Sequence, residues 1–323
     1  MRVASKILAA AALAAGLLAA SAGAAAAGTG AAEPECFGAA ARDVRNRCTN
    51  PTLSVFPPLR DIDADYRAGS RCVPVPGDPA PICAFGVSKS KAKRHFALIG
   101  DSHALHWRRA LDVVALAERW RGFSITTAGC PFSAAAEDLG GGLREYCTTW
   151  YRAALRWLRA HRNVSTVFIS QFSPMPLEVD GVLTGSGAAN YKLKMAGVRR
   201  MLRALPKSVK HVVTIRDNPL TTQEQFDCVE RVAGTGTRHA GAECAAGHGA
   251  LRWDATASAA RIFRSKRFAA VDLSEFFCDR RYCYPVIGGA RVFRDAFGHL
   301  TTAYSRTLGP FLHRKLRALM KRW

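Results

Sequence analysis

The sequence predicts a doubly wound, three-layer α/β sandwich built on a parallel sheet. Three observations carry that expectation. Short apolar strands alternate with helices of several turns from residue 95 to the C-terminus. Apolar residues make up 49% of the 323 and charged residues 22%, which excludes wholesale disorder and a collagen-like fibre. No internal repeat, and no low-complexity segment beyond the N-terminal leader, interrupts the alternation.

The chain opens with a short positive segment, Met1 to Lys6, then an uncharged apolar run from Ile7 to Ala20. Small residues up to Ala27 offer several A-x-A sites. Residues 1–27 therefore read as a secretory signal peptide. The apolar core is too short for a comfortable membrane span, and no later stretch is long enough for one. The expected location is extracytoplasmic, at the cell envelope.

Residues 28–90 hold four cysteines and many prolines. Little regular structure is expected there, and the segment reads as a disulfide-tied extension around the main domain, residues 91–323. Ten cysteines in close pairs suit export into an oxidising space. Proximity suggests Cys36–Cys48, Cys72–Cys83, Cys130–Cys147, Cys228–Cys244 and Cys278–Cys283. A loop of about 15 residues closed this way is worth roughly 3 kcal/mol in the chain-entropy model. No CxxC or HExxH occurs, so no metal site and no cofactor is expected.

The elements then follow in order. His95 to Ile99 is a buried-strand run, and Ala104 to Trp120 is helical. Phe123 to Thr127 reads as a strand, Leu143 to His161 as a helix, and Asn163 to Ser170 as a strand. Tyr191 to Leu205 is helical and His211 to Ile215 is a strand. Trp253 to Phe263 is a helix, Phe268 to Leu273 a strand, and Leu300 to Met320 the last helix. In such sheets the site lies outside the carboxyl ends of the strands.

Gly100-Asp101-Ser102-His103 falls at such an end and opens a helix. Gly100 permits a tight turn there. Ser102 would sit near a helix N-terminus, where free N–H groups favour developing negative charge. A serine nucleophile needs that environment and an adjacent base. Asp101 and Ser102 are also both good N-caps, so a purely structural reading stands beside the catalytic one. Far along the chain, Asp295 and His299 share a short segment before the last helix. There His299 would take the Ser102 proton and Asp295 would orient His299.

These segments resemble a known family. His95 to Trp107 (HFALIGDSHALHW) resembles block I of SGNH hydrolases, in particular the SGNH domains fused to bacterial membrane acyltransferase-3 proteins. Val292 to Leu308 resembles that family's last block. Cys83-Ala-Phe-Gly86, Ala128-Gly-Cys-Pro131, Arg216-Asp-Asn-Pro219 and Val271-Asp-Leu273 match intermediate landmarks. The resemblance spans about residues 36–323. It implies a flavodoxin-like sandwich, with Ser102 as nucleophile, His299 as base and O-acyl ester chemistry on envelope glycans.

Three departures stand out. The family spacing is D-x-x-H, whereas here Asp295 and His299 are separated by one residue more, Gly298. No G-x-N-D occurs, so oxyanion donors are expected from Ser102 and Gly129, with Gln171 as a side-chain donor. The membrane acyltransferase half is missing, so the chain takes its acyl group from a separate membrane donor protein or hydrolyses esters with water. His103 and His106 are read as structural or site-lining residues rather than metal ligands.

Removing Arg2 and Lys6 with the leader takes the net charge from +21 to +19, which favours anionic surfaces (wall polymers, phospholipid headgroups or nucleic acid), and an anionic envelope polysaccharide or acyl ester is the expected partner. Lys192, Lys194, Arg199, Arg200 and Arg203 on one helix, and Arg314, Lys315, Arg317, Lys321 and Arg322 on the last, read as solvated faces. No nucleic-acid reader motif is found, so nucleic acid is excluded as a partner. The expected function is a secreted serine esterase or O-acyltransferase, with O-acetyl the expected acyl group, acting on envelope polysaccharide. A non-catalytic glycan-binding module on a degenerate scaffold is the alternative. A secreted lipase ranks lower, because no large apolar lid is seen in the sequence.

Overall fold

The computed structural model describes residues 33–70, 73–74, 82–135, 139, 142–179, 182–184, 188–234, 240–263 and 265–323. The expected signal peptide and Cys72 lie outside these residues. Pro34–Trp323 forms one compact unit. Among the described residues no helix is long and apolar enough to cross a membrane.

The central sheet has seven strands: β1 (Val73–Pro74), β2 (Cys83–Gly86), β3 (Arg94–Gly100), β4 (Trp120–Thr126), β5 (Val164–Ser170), β6 (His211–Ile215) and β7 (Phe268–Val271). Their order is β1-β2-β4-β3-β5-β6-β7. The five strands from β4 to β7 are parallel, and β1 and β2 add an antiparallel edge. Among the parallel strands the chain starts in the second position and reverses direction between β3 and β5. That is the flavodoxin-like order, with its ligand crevice at the reversal.

Alternation along the central strands builds the three layers. Phe96 and Leu98 of β3, Phe168 of β5 and Val213 of β6 enter one core, with Trp107, Leu111, Tyr304 and Leu308. Ala97 and Ile99, Val167 and Ile169, and Val212 enter the other, with Trp150, Leu158, Val198 and Leu202. A parallel strand covered on both faces must be apolar at nearly every position, and β3 from Phe96 to Ile99 is fully buried. The first core lies under α3 (Arg108–Glu118) and α9 (Thr302–Met320). The second lies under α4 (Leu143–Ala160), α5 (Ala188–Ala204) and α8 (Ala255–Ile262).

The helix expected from Ala104 to Trp120 is two helices and the start of a strand. α2 (Ser102–Leu105) ends where Ser305 Oγ donates to the His106 carbonyl at 2.5 Å, and α3 begins after Trp107. Arg119 takes a left-handed conformation (φ 59°), which ends α3. Trp120 then pairs with Arg94 in the sheet. α6 (Gln223–Gly234) and α7 (Ala240–Glu243) are additions that the sequence reading did not contain.

The segment from residue 36 to 90 is more regular than expected. It holds α1 (Ile62–Ser70) and the two antiparallel strands, whose few residues give too little pattern to read. It also packs on the last helix. The Ala39 N–H donates to Thr307 Oγ1, and Arg314 makes a two-pronged bond to Asp43. Asp65 of α1 accepts from the Thr302 and Ala303 N–H groups and so covers the free start of α9. Arg314 and Lys315, expected on a solvated face, are therefore paired, Lys315 with Glu275. Four of the expected disulfides are present: Cys36–Cys48, Cys130–Cys147, Cys228–Cys244 and Cys278–Cys283.

Candidate active site

Strand register sets the stage. Gly100, the last residue of β3, pairs with Thr126 of β4 on one side and Ser170 of β5 on the other. The segments starting at Asp101, Thr127 and Gln171 therefore leave the sheet side by side at its carboxyl end. Gly100 is required there. Its φ is 149°, and a Cβ would lie 1.9 Å from the Ser170 carbonyl oxygen.

Asp101 is the N-cap of α2. Its carboxylate accepts from the His103 N–H and, across the sheet, from the Phe172 N–H, both at 2.8 Å. Burial pushes its carboxyl up, and the positive charge of His103 and the Phe172 N–H oppose the shift. Because Asp101 does the capping, Ser102 keeps its hydroxyl for another partner. That partner is His299: Ser102 Oγ lies 2.8 Å from His299 Nε2. His299 Nδ1 lies 2.8 and 3.0 Å from the two Asp295 oxygens.

The longer Asp295–His299 spacing is taken up within the turn. Gly298 has φ 82°, a conformation that suits glycine. Its N–H returns to the Asp295 carbonyl, and the Phe297 N–H donates to the Asp295 carboxylate. Asn218 Nδ2 donates to the Gly298 carbonyl at 2.8 Å and pins the turn from β6's side. Burial would raise the Asp295 carboxyl, but the His299 hydrogen bond and charge outweigh it and hold it below its ordinary value. Gly298→Ala is expected to cost about 1 kcal/mol through backbone strain, since a Cβ there meets nothing closer than 3.5 Å. Thermal unfolding and turnover of the variant check this, with turnover falling further than stability because His299 rides on the turn.

Below this row lies a buried polar network that sequence reading missed. His103 Nδ1 bonds Asp217 Oδ1 at 2.7 Å, with both side chains almost fully buried. Burial alone would lower His103, yet the charge and hydrogen bond of Asp217 outweigh it and push its pKa up. Asp217 Oδ2 accepts from the Ser173 N–H, and the Asp217 N–H donates to Asp254 Oδ2. The His103 ring lies 5.0 Å from that of His299 and 4.8 Å from Phe172, so it forms part of the wall behind the serine–histidine pair. The signal was Arg216-Asp-Asn-Pro219, noticed as a landmark without a role.

His103, His106 and Asp217 offer donor atoms within 4.8 Å of one another. Asp217 already binds His103 Nδ1, and His106 Nδ1 accepts from the Leu300 N–H at 3.4 Å. The His103 and His106 rings also pack 4.9 Å apart. Burial, and after it the neighbouring His103, pushes His106 well down.

Burial and the nearby Asp217 raise Asp254 to about 6. Its folded value exceeds the unfolded one, so the folded state holds the extra proton between pH 4 and 6. Stability therefore falls as pH rises through that window, by roughly 3 kcal/mol for a two-unit shift. Asp254→Asn is expected to flatten that fall in denaturant unfolding measured from pH 4 to 7.

The expected oxyanion donors come from the same end of the sheet. Ser102 is the first residue of α2. Gly129 (φ 72°) lies in the turn after β4, tied to β3 by the Thr127 N–H to the Gly100 carbonyl. Gln171 is the first residue after β5 and is buried, its Oε1 without a protein partner. The cleft at Ser102 is lined by Tyr66, Leu105, Arg109, Arg294 and His299 among others, but not by Gly129 or Gln171.

A mostly parallel sheet that brings a Ser, a His and an Asp together at its topological reversal places the chain among the doubly wound α/β folds. Within that class the particular assignment follows from the family comparison. The family of SGNH domains (fused to AT3 domains) matches residues 68–314, and the chain belongs to it. Among solved structures it is similar to the periplasmic domain of a lipopolysaccharide acetyltransferase from Salmonella ser. Paratyphi A, at 14% identity and a TM-score of 0.51. That similarity covers 72% of this chain and 90% of the Salmonella domain, and it bears on the fold. No curated protein matches.

Proposed function

We propose that this chain is an extracytoplasmic serine esterase or O-acyltransferase that acts on acyl esters of an envelope polysaccharide. The observation that carries the proposal is the continuous bond from Ser102 Oγ through His299 to Asp295. Ser102 O–H donates to neutral Nε2 of His299, and Nδ1–H donates to the Asp295 carboxylate. Oγ attacks the acyl carbonyl as its proton passes to Nε2. The tetrahedral oxyanion is held by the Ser102 N–H at the start of α2; Gly129 and Gln171 leave the same end of the sheet but do not line the cleft, and would add their donors only by turning toward it. On collapse the departing alkoxide takes the proton from Nε2, leaving an acyl-Ser102 ester. Water or a glycan hydroxyl then attacks that ester, giving hydrolysis or transfer. For transfer, a separate membrane protein supplies the acyl group.

Membership of the SGNH family supports acyl ester chemistry. The activity named for the Salmonella domain agrees with an O-acetyl group and an envelope glycan. The disulfides and the apolar leader of the sequence support an extracytoplasmic location.

The test is intact-mass analysis of the oxidised protein after treatment with a small sulfonyl fluoride. A single adduct on Ser102, lost in His299→Ala, is the expected result. A folded protein that gains no adduct would refute the mechanism and favour the non-catalytic glycan-binding module.

A further inference from the structure

A cleft of about 290 Å³ opens between the loop after β5, α5 and the segment before α8. It is of the size that takes a small ligand. Trp253, one of its walls, is 74% exposed. The Tyr191 ring meets it edge to face at 5.5 Å. The Trp253 backbone is held on both sides: Arg216 donates to the Arg252 carbonyl, and Asp254 caps α8. The indole therefore projects from a fixed position.

The polar groups of this cleft are incompletely satisfied. Lys194 turns inward from the basic face of α5, and its Nζ donates to the Ser173 carbonyl at 2.9 Å. Burial lowers it to about 8. An ammonium has three donors, so two remain for a ligand. Ser173 Oγ is buried with no partner among the described residues. An aromatic wall, a half-buried cation with spare donors and an unsatisfied hydroxyl together suit a sugar ring that carries an anionic group. Its C–H face covers the rings, and its charge and hydroxyls meet Lys194 and Ser173.

The cleft adjoins the candidate catalytic residues through one loop. Phe172 is bonded to Asp101, Ser173 is bonded to Asp217, and Asp217 holds His103 beside His299. We infer that this cleft is a glycan subsite: Trp253 and Tyr191 hold a pyranose, and Lys194 binds its carboxylate or phosphate. The inference rests on the esterase or acyltransferase reading for its biological sense, but the binding it describes is measurable without turnover.

The experiment titrates Ser102→Ala protein with three probes, an oligogalacturonate, a hexose 6-phosphate and a neutral malto-oligosaccharide, by calorimetry and tryptophan fluorescence. An anionic probe is expected to bind and shift the fluorescence, with the neutral one at least tenfold weaker. Oligogalacturonate alone would assign the group as carboxylate, and the phosphate alone as phosphate. Trp253→Ala should lower affinity at least tenfold, and Trp253→Phe should restore most of it. Lys194→Met should abolish the preference for the anionic probe. Trp253 is exposed, so its variants should keep the parent's thermal midpoint. Failure of every probe to bind, or affinity unchanged in both Trp253→Ala and Lys194→Met, overturns the subsite. Sulfonyl fluoride labelling of the unmutated protein separates the two readings. Labelling without glycan binding removes the subsite alone, and binding without labelling removes the esterase reading alone.

Discussion

Ser102→Ala is expected to lower ester turnover by about four orders of magnitude or more while leaving the fold intact. The loss is large because the hydroxyl is the bond-forming group, and no other described side chain bonds His299 Nε2. The fold survives because Ser102 is not what holds the turn. Asp101 caps α2 and reaches across to Phe172, so the serine hydroxyl makes one bond, at the edge of the cleft. Removing one partly exposed hydrogen bond costs on the order of 1 kcal/mol. Asp101→Ala should behave in the opposite manner, with a large loss of stability, since it strips two N–H groups of a buried acceptor. Turnover of a small aryl acetate and thermal unfolding of both variants make the comparison. Turnover of Ser102→Ala within tenfold of the parent would place the chemistry elsewhere.

The contrast between neighbouring residues shows what the sequence made legible. Asp101 and Ser102 are both good caps, so sequence left a structural and a catalytic reading open. The Phe172 contact, formed by the loop after β5 about 70 residues away, decides which residue caps. The parallel sheet was readable because its strands are buried on both faces and appear as continuous apolar runs. The edge strands were not, because β1 and β2 have only two and four residues. The break between α2 and α3 was hidden as well. It depends on Ser305 and Leu300 reaching His106 from the far end of the chain, while the local sequence is helical throughout. The pairing of Asp295 with His299 was readable despite the unusual spacing, since Gly298 marks a turn able to absorb a residue. Asp217 was not, because a lone Asp after a strand has no local pattern to distinguish it. Lys194 was misread for a related reason. It shares a helix with four other basic residues, and only the fold turns it inward.

Asp217→Ala is expected to cost about 3–5 kcal/mol, the range for removing one partner of a buried ion pair. One carboxylate serves three elements here. It binds His103 on α2, the Ser173 N–H after β5 and the Asn218 N–H after β6. The cost should depend on pH in a direction that follows from the two neighbours. In the parent, Asp217 raises His103, so that contribution is fully present below the unfolded value near 6.5 and is lost as pH rises through the folded value. Without Asp217, burial is the largest effect on His103, opposed by the charge of Asp101 and a backbone contact with Phe297. Burial lowers it, so the variant loses stability as pH falls. Asp254 acts in the same sense. Its elevation to about 6 owes part of its size to Asp217, so the variant also gains less from Asp254 at acid pH. Both effects make the penalty larger at pH 5.5 than at pH 8. Guanidinium unfolding of parent and variant at the two values measures it, and a penalty independent of pH would mean that Asp217 shifts neither His103 nor Asp254. Turnover should fall as well, since the loop carrying Gln171 loses its Ser173 anchor and His103 loses the bond that fixes it beside His299.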